Sequence, residues 1–259
     1  ILDLADDGVL VAAESDGAGG VRTAEGRIPV PIGFETALAF DFLVYDADTE
    51  RWEFLARGQD VTQFLFAEPL SDEQMEKLAG IDSQRIAAPP AGLSAHKELD
   101  LFEAGIRYRK LLALGRETGV MPQLEFWGSS PVLWHLGQVL MIAAVADDAD
   151  VKILPDVYHM FRGGSGFHAL KMLSGELIDI FHLNDYPAGK AREEQTDADR
   201  VYPGDGQAPL LQILSDLKNM GGEKILSLEL FNRTYWKEDP LKVAKTGLDK
   251  MKALVREIA

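Results

Sequence analysis

Residues 122–156 run Pro122-Gln123-Leu124-Glu125-Phe126-Trp127, then an amphipathic stretch from Pro131 to Ala146, then Val151-Lys152-Ile153-Leu154-Pro155-Asp156. Two short apolar runs, each closing on a carboxylate, flank one segment of helical length, which predicts a strand–helix–strand unit of α/β type. Strands with apolar residues on both faces belong to a parallel sheet covered on both sides. The same alternation continues outward. Val61–Phe66, Gln84–Ala88, Leu177–His182 and Lys224–Glu229 read as further strands. Ser71–Leu78, Leu99–Arg116, Phe167–Leu173 and Ala208–Met220 read as helices, with Gly119 and Gly221 as stop signals. Asp239 followed by Pro240 caps a closing helix, in which Leu241, Ala244, Leu248, Met251, Val255 and Ile258 recur at helical spacing.

Six strands alternating with helices fit either a doubly wound sheet or most of an eight-stranded barrel. The glycine-rich dinucleotide turn that would favour the doubly wound sheet is absent. Gly17-Ala18-Gly19-Gly20 lacks the third glycine at the required spacing and a clear preceding strand. The expected fold is therefore a single-domain (β/α)8 barrel over residues 1–259. Its first two βα units are irregular, with Gly8–Ala13 and Leu38–Tyr45 as their candidate strands.

Composition narrows the chemistry. The 259 residues carry 42 acidic and 26 basic side chains, a formal charge of −16, and no cysteine. Without thiolates, a metal would have to be held by oxygen and imidazole. The negative charge opposes a nucleic-acid partner. No apolar run is long enough to span a membrane. A small-molecule substrate is expected, in a cytoplasmic protein for which a homo-oligomer is compatible. Because the sequence starts at Ile1, removal of a targeting segment ahead of it is also compatible.

Four strands end in residues able to ligate a metal: Glu125, Asp156, His182 and Glu229. A parallel barrel gathers its strand C-termini on one face, so residues 26 to 47 positions apart converge there. Three carboxylates and an imidazole form a hard site suited to Mn²⁺, Mg²⁺ or Co²⁺, with Zn²⁺ as an alternative. Burying three anions without a cation would be strongly unfavourable. A metal bound to a carbonyl and its neighbouring hydroxyl acidifies the adjacent C–H and stabilises the resulting enediolate.

The segments Leu124-Glu125-Phe126-Trp127-Gly128, Pro155-Asp156-Val157-Tyr158-His159, Phe181-His182-Leu183-Asn184-Asp185, Asp199-Arg200-Val201-Tyr202-Pro203-Gly204-Asp205-Gly206 and Ser227-Leu228-Glu229-Leu230-Phe231-Asn232 resemble those of the xylose-isomerase-like TIM barrels, the sugar phosphate isomerase/epimerase family. The resemblance covers about Gln84 to Ile258. It implies that Glu125, Asp156, His182 and Glu229 hold one divalent metal ion. It also implies that Glu125 and Glu229 act as the acid/base pair and that His159 and Arg200 face the substrate; Trp127 and Asn184 are further candidate substrate contacts. The implied activity is isomerisation or epimerisation of a sugar or cyclitol. Dehydration of an inosose or of 3-dehydroshikimate is the alternative open to the same site. A non-catalytic sugar- or metal-binding barrel and an abasic-site endonuclease fit less well. The endonucleases need several more histidines, and this chain has only His96, His135, His159, His168 and His182.

Two expectations concern the rim. The turn around Gly204 and Gly206 is suited to point backbone N–H groups at substrate oxygens or a phosphate. Lys190, Arg192, Arg200, Arg233 and Lys237 would make the last two loops basic, and Trp127, Tyr158, Tyr235 and Trp236 would offer flat apolar walls to a sugar ring.

Overall fold

The computed structural model describes residues 83–90 and 98–258, together with the backbone of five short strands between Leu2 and Ala56. These five are β1 (Leu2–Leu4), β2 (Leu10–Ser15), β3 (Val21–Thr23), β4 (Phe42–Asp46) and β5 (Arg51–Ala56). They form one sheet in the order β1-β2-β3-β5-β4, and every pairing is antiparallel. β2 and β4 overlap the two strands expected from sequence, but their pairing corrects the expectation of βα units in this part of the chain. Five residues separate β1 from β2 and β2 from β3, and four separate β4 from β5. Parallel neighbours need a crossover of about a dozen residues or more, so connections this short leave only the antiparallel arrangement. The expected strand Val61–Phe66, the expected helix Ser71–Leu78, His96 and the Gly17–Gly20 turn lie outside the described residues.

From residue 85 onward the expected alternation is present. β6 (Arg85–Ala88), β7 (Met121–Glu125), β8 (Ile153–Leu154), β9 (Ile180–His182) and β10 (Ile225–Ser227) run parallel. β8 meets β9 through isolated parallel bridges, Ile153 with Ile178 and Asp156 with His182. Between and after the strands lie α1 (Leu101–Thr118), α2 (Leu136–Ala146), α3 (Val157–Arg162), α4 (Leu210–Asn219) and α5 (Pro240–Glu257). The core lies between strands and helices and includes Leu124, Ile153 and Phe181 from the strands with Leu111, Leu112, Val139, Ile142 and Ile213 from the helices. Tyr108 bolts α1 to the sheet. Its hydroxyl, with one proton to share, lies 2.9 Å from the Pro122 carbonyl oxygen and 2.8 Å from that of Lys152, and accepts from the Lys152 N–H (3.1 Å).

Helix starts follow cap chemistry more than apolar spacing. The Asp100 carboxylate accepts from the N–H groups of Phe102 and Glu103, and Asp239 accepts from that of Lys242. α2 starts at Leu136, five residues later than expected, because His135 and Gln138 form a reciprocal capping box there. His135 is thus a cap and lies outside the helix body. The expected helix Phe167–Leu173 is a single 3₁₀ turn, His168–Met172. It follows Gly164 and Gly166, whose φ angles of +75° and +64° turn the chain after α3.

Candidate metal centre

Each strand-end residue is carried to the same end of the sheet. Glu125 closes β7, Asp156 follows β8 as the N-cap of α3, His182 closes β9 and Glu229 follows β10. All four are buried. Glu125, His182 and Glu229 each offer a ligand atom, and these atoms lie within 4.8 Å of one another. The nitrogen His182 Nδ1 is the common point. It lies 3.4 Å from Glu229 Oε2, 3.8 Å from Asp156 Oδ2 and 4.0 Å from Glu125 Oε1. Neither His182 Nδ1 nor Glu125 Oε2 has a hydrogen-bond partner, although both are fully buried. Orphaned buried polar atoms are rare and call for an explanation.

Asp156 is more committed than the other three. Its Oδ1 accepts from the His159 N–H at 2.7 Å, while its Oδ2 accepts from Asn184 Nδ2 at 2.6 Å and from Arg200 Nη1 at 3.3 Å. Asn184 lies behind the cluster. Its amide also donates to the Glu229 carbonyl (3.4 Å) and accepts from the Tyr158 N–H (2.9 Å), so its hydrogen-bonding capacity is directed at the protein.

Arg200 is the counter-charge. Its side chain has no solvent exposure. Nη1 donates to Glu229 Oε2 at 2.5 Å, and Nη2 donates to Asp197 Oδ1 at 2.6 Å and lies 2.9 Å from His159 Nε2. The guanidinium carbon sits 4.7 Å from the centre of the Tyr158 ring and 4.9 Å from that of Phe231. Tyr158, expected as a sugar wall, is therefore a floor beneath Arg200, with a buried hydroxyl that has no partner. Trp127 is partly buried and directly follows Phe126 at the mouth of β7. Gly128 then brings the chain so close to α3 that a β-carbon would collide with His159, Arg162 and Gly163. From there it donates its N–H to His159 Nδ1 at 3.2 Å. Both ring nitrogens of His159 thus face N–H donors, and burial together with Arg200 lowers this imidazole to about 4.

The charges are strongly coupled. Burial, reinforced by Glu229 and Asp156, pushes the Glu125 carboxyl well above the usual range. Burial alone would lower His182, but the Glu229, Glu125 and Asp156 carboxylates outweigh it and hold the ring up at about 9. For Glu229, burial is outweighed in the other direction by His182 and Arg200, which hold it well below the usual carboxylate range. Three buried carboxylates around one buried guanidinium carry an excess of negative charge that, without a cation, protons on His182 and Glu125 offset. A divalent cation would remove that excess and occupy the two orphaned atoms. The donor set of carboxylate oxygens and one imidazole nitrogen fits Mn²⁺, Mg²⁺, Co²⁺ or Zn²⁺.

The rim departs from expectation. The N–H groups of Gly204, Gly206 and Ala208 do not await a phosphate: the Asp185 carboxylate accepts all three, together with that of Tyr186. Lys190 is paired with Asp199 at 2.6 Å and Arg192 with Glu193 at 2.7 Å. Arg233 is likewise engaged, while Lys237 is exposed. Tyr235 stacks on Tyr202 with ring centres 4.3 Å apart, and the Trp236 indole donates to the Leu230 carbonyl at 3.5 Å. Sequence reasoning missed Asp185 and Asp197. Local spacing carried no signal for Asp185, because three of its four partners lie 19 to 23 residues away.

Known proteins resemble this chain to different extents. Inosose isomerase from Bacillus subtilis is 34% identical over 134 residues, covering 49% of this chain and 47% of that protein. The Bacillus velezensis inosose isomerase is 35% identical over 118 residues, covering 44% of this chain and 40% of that protein. The chain thus spans about half the length of the curated relatives it matches, or less. Among solved structures, the IOLI protein with a bound zinc atom superposes with a TM-score of 0.65 at 25% identity, over 73% of this chain and 68% of that one. An L-ribulose 3-epimerase shares the fold, with a TM-score of 0.59 at 16% identity over 84% of this chain and 72% of that one. Among the described residues no helix is long and apolar enough to cross a membrane. The profile of the Xylose isomerase-like TIM barrel matches residues 85–254, the span that holds all five parallel strands and every residue of the centre, and the chain belongs to that family.

Proposed function

We propose that the protein is a divalent-metal-dependent isomerase or epimerase of an unphosphorylated polyhydroxy ketone, either a sugar or a cyclitol. The observation that carries this reading is the buried cluster of Glu125, Asp156, His182 and Glu229, with His182 Nδ1 and Glu125 Oε2 unpartnered. These four residues would hold the ion. When bound, it supplies Lewis acidity to a substrate carbonyl and so acidifies the neighbouring C–H.

The chain's own residues divide the remaining work. Glu229 is fixed by Arg200, whereas Glu125 keeps one oxygen without a partner, so Glu125 has the freer carboxylate for exchanging a proton with substrate. One carboxylate takes the proton from the carbon beside the carbonyl and the other returns one. Return to the same carbon from the opposite face gives an epimer, and return to the former carbonyl carbon, with the neighbouring hydroxyl proton passing to the former carbonyl oxygen, gives an isomer. Arg200 holds Glu229 and Asp156 in place as charge moves, and neutral His159 presents no positive charge of its own. The rim supports an unphosphorylated substrate: Lys190 and Arg192 are paired, and the Asp185 carboxylate accepts the loop N–H groups. The inosose isomerases among the relatives point in the same direction.

The test is incubation of the Mn²⁺-loaded protein with inososes and free ketoses in D₂O. Deuterium at the carbon beside the carbonyl, lost in Glu125→Gln, is the expected result. If no substrate of this class exchanges, the reading is wrong, and an ultraviolet-absorbing enone without exchange into recovered substrate would replace it with dehydration.

A further inference from the structure

We propose that Asp185 is a positioning residue for the metal centre: its carboxylate fills an anion cradle in the loop 200–208 and, through that loop, holds Arg200 against Glu229 and Asp156. The inference rests on the reading of that cluster as a metal centre. Asp185 is 1% exposed. Its Oδ1 accepts from Tyr186 and Ala208, each at 2.8 Å, and its Oδ2 accepts from Gly204 at 3.0 Å and Gly206 at 3.1 Å. Convergent backbone N–H groups of this kind make an anion site. In parallel barrels the loops after the last two strands are a frequent place for a bound phosphate. Here the anion is part of the chain.

The cradle has no room for anything else. Gly204 has a φ of +88°, which favours glycine. A β-carbon on Gly206 would collide with Asp185 itself and with the Tyr186 carbonyl. The connection to the centre is short. Asp185 and Val201 exchange two backbone hydrogen bonds, at 3.1 and 3.0 Å, and Arg200 immediately precedes Val201. The Arg200 carbonyl accepts from Asn232 Nδ2 at 3.0 Å, which ties the same residue to the segment after Glu229. The Asp185 carboxylate makes its hydrogen bonds to the backbone of Tyr186 and of the loop that carries Arg200, and none of them goes to a metal-ligand side chain, so its influence passes through that backbone.

Asp185→Ala opens the cradle, and Asp185→Asn turns an N–H₂ group toward one pair of donors. Two readouts are followed in each variant. One is Mn²⁺ affinity; the other is the exchange protection of the Arg200 guanidinium protons in the metal-free protein, observed by nitrogen-resolved NMR. Asp185→Ala is expected to weaken Mn²⁺ binding by about tenfold or more, as loss of outer partners does at metal sites, and to expose the Arg200 protons to exchange. Added formate, which can re-enter the cradle, should restore both. Tyr108→Phe serves as the control, a comparable loss of backbone partners far from the loop, and should lower stability with neither effect. If Asp185→Ala fails to fold, Asp185→Asn carries the same comparison. Wild-type Mn²⁺ affinity together with protected Arg200 protons in a folded Asp185 variant would overturn the proposal, as would losses that formate leaves unchanged. A wild-type protein that binds no Mn²⁺ would instead contradict the metal reading, and the Arg200 signals would still decide the role of Asp185.

Discussion

The two ends of the parallel sheet are built from similar charged side chains and treat them in opposite ways. At the N-terminal ends, Arg85 at the start of β6 and Lys152 just before β8 both reach Asp179 just before β9, at 2.9 and 3.1 Å. These groups are a quarter to a third exposed, and each carboxylate oxygen has a cation. At the C-terminal ends, three carboxylates and an imidazole are buried around one guanidinium, and two of their polar atoms have no partner. Satisfied charges at one end tie strands together, and unsatisfied charges at the other are a binding capacity held in place by the same strands. This matches the division of labour in parallel barrels, where the C-terminal face carries chemistry and the opposite face stability.

Substitutions at the two ends should therefore separate function from stability. The largest effect is expected for Glu125→Gln, which should lower turnover by about 10²- to 10⁴-fold, the range for loss of an acid/base group. The metal-free protein should remain at least as stable in a denaturant titration, because a buried carboxyl crowded by two others is removed. Arg200→Met should cost the metal-free protein about 3–5 kcal/mol in the same titration, since it removes the guanidinium that pairs with Glu229 and Asp156 and leaves only His182 to offset them. A variant as stable as the wild type would show that the guanidinium is not the counter-charge described here. Tyr108→Phe should cost about 1–3 kcal/mol by stranding the Pro122 and Lys152 backbone groups, with turnover unchanged.

Asp179→Asn should have the smallest effect, about 1 kcal/mol, as expected for a partly exposed ion pair. Its pH dependence has a definite sign. Burial would raise the Asp179 carboxyl, but hydrogen bonds from Arg85 and Lys152 outweigh it and hold the group below its ordinary value. A carboxyl lowered in the folded state stabilises fully above its unfolded value and loses that contribution as pH falls through the folded value. The stability gap between wild type and Asp179→Asn should thus be constant near neutrality and close on acidification below pH about 4. Thermal melting across that range checks it, and a gap that widens in acid would contradict the pairing.

What the sequence makes legible depends on whether the cause is local. Glu125, Asp156, His182 and Glu229 each end an apolar run of their own, so strand reading finds all four and predicts that they converge. The helix cap at Asp239 is similarly local. The roles of Arg200 and Asp185 are not, because the partners that define them come from other loops and strands: Glu229 and Asp156 lie 29 and 44 residues from Arg200, and Gly204, Gly206 and Ala208 lie 19 to 23 residues from Asp185. A glycine turn that looks ready for a phosphate cannot reveal that a carboxylate 19 residues earlier already occupies it. The first 56 residues mislead for a different reason. Their apolar runs suit strands of either direction, and only the short connections, four or five residues long, dictate antiparallel pairing.

Crystals of the wild-type protein soaked in Mn²⁺ and measured for anomalous scattering give the most direct test of the centre. A single strong peak within about 2.0–2.6 Å of His182 Nδ1 and of carboxylate oxygens from Glu125 and Glu229 is predicted, the usual range for such ligands. A manganese peak elsewhere, or none at this cluster at saturating Mn²⁺, would contradict the metal centre and the function proposed from it.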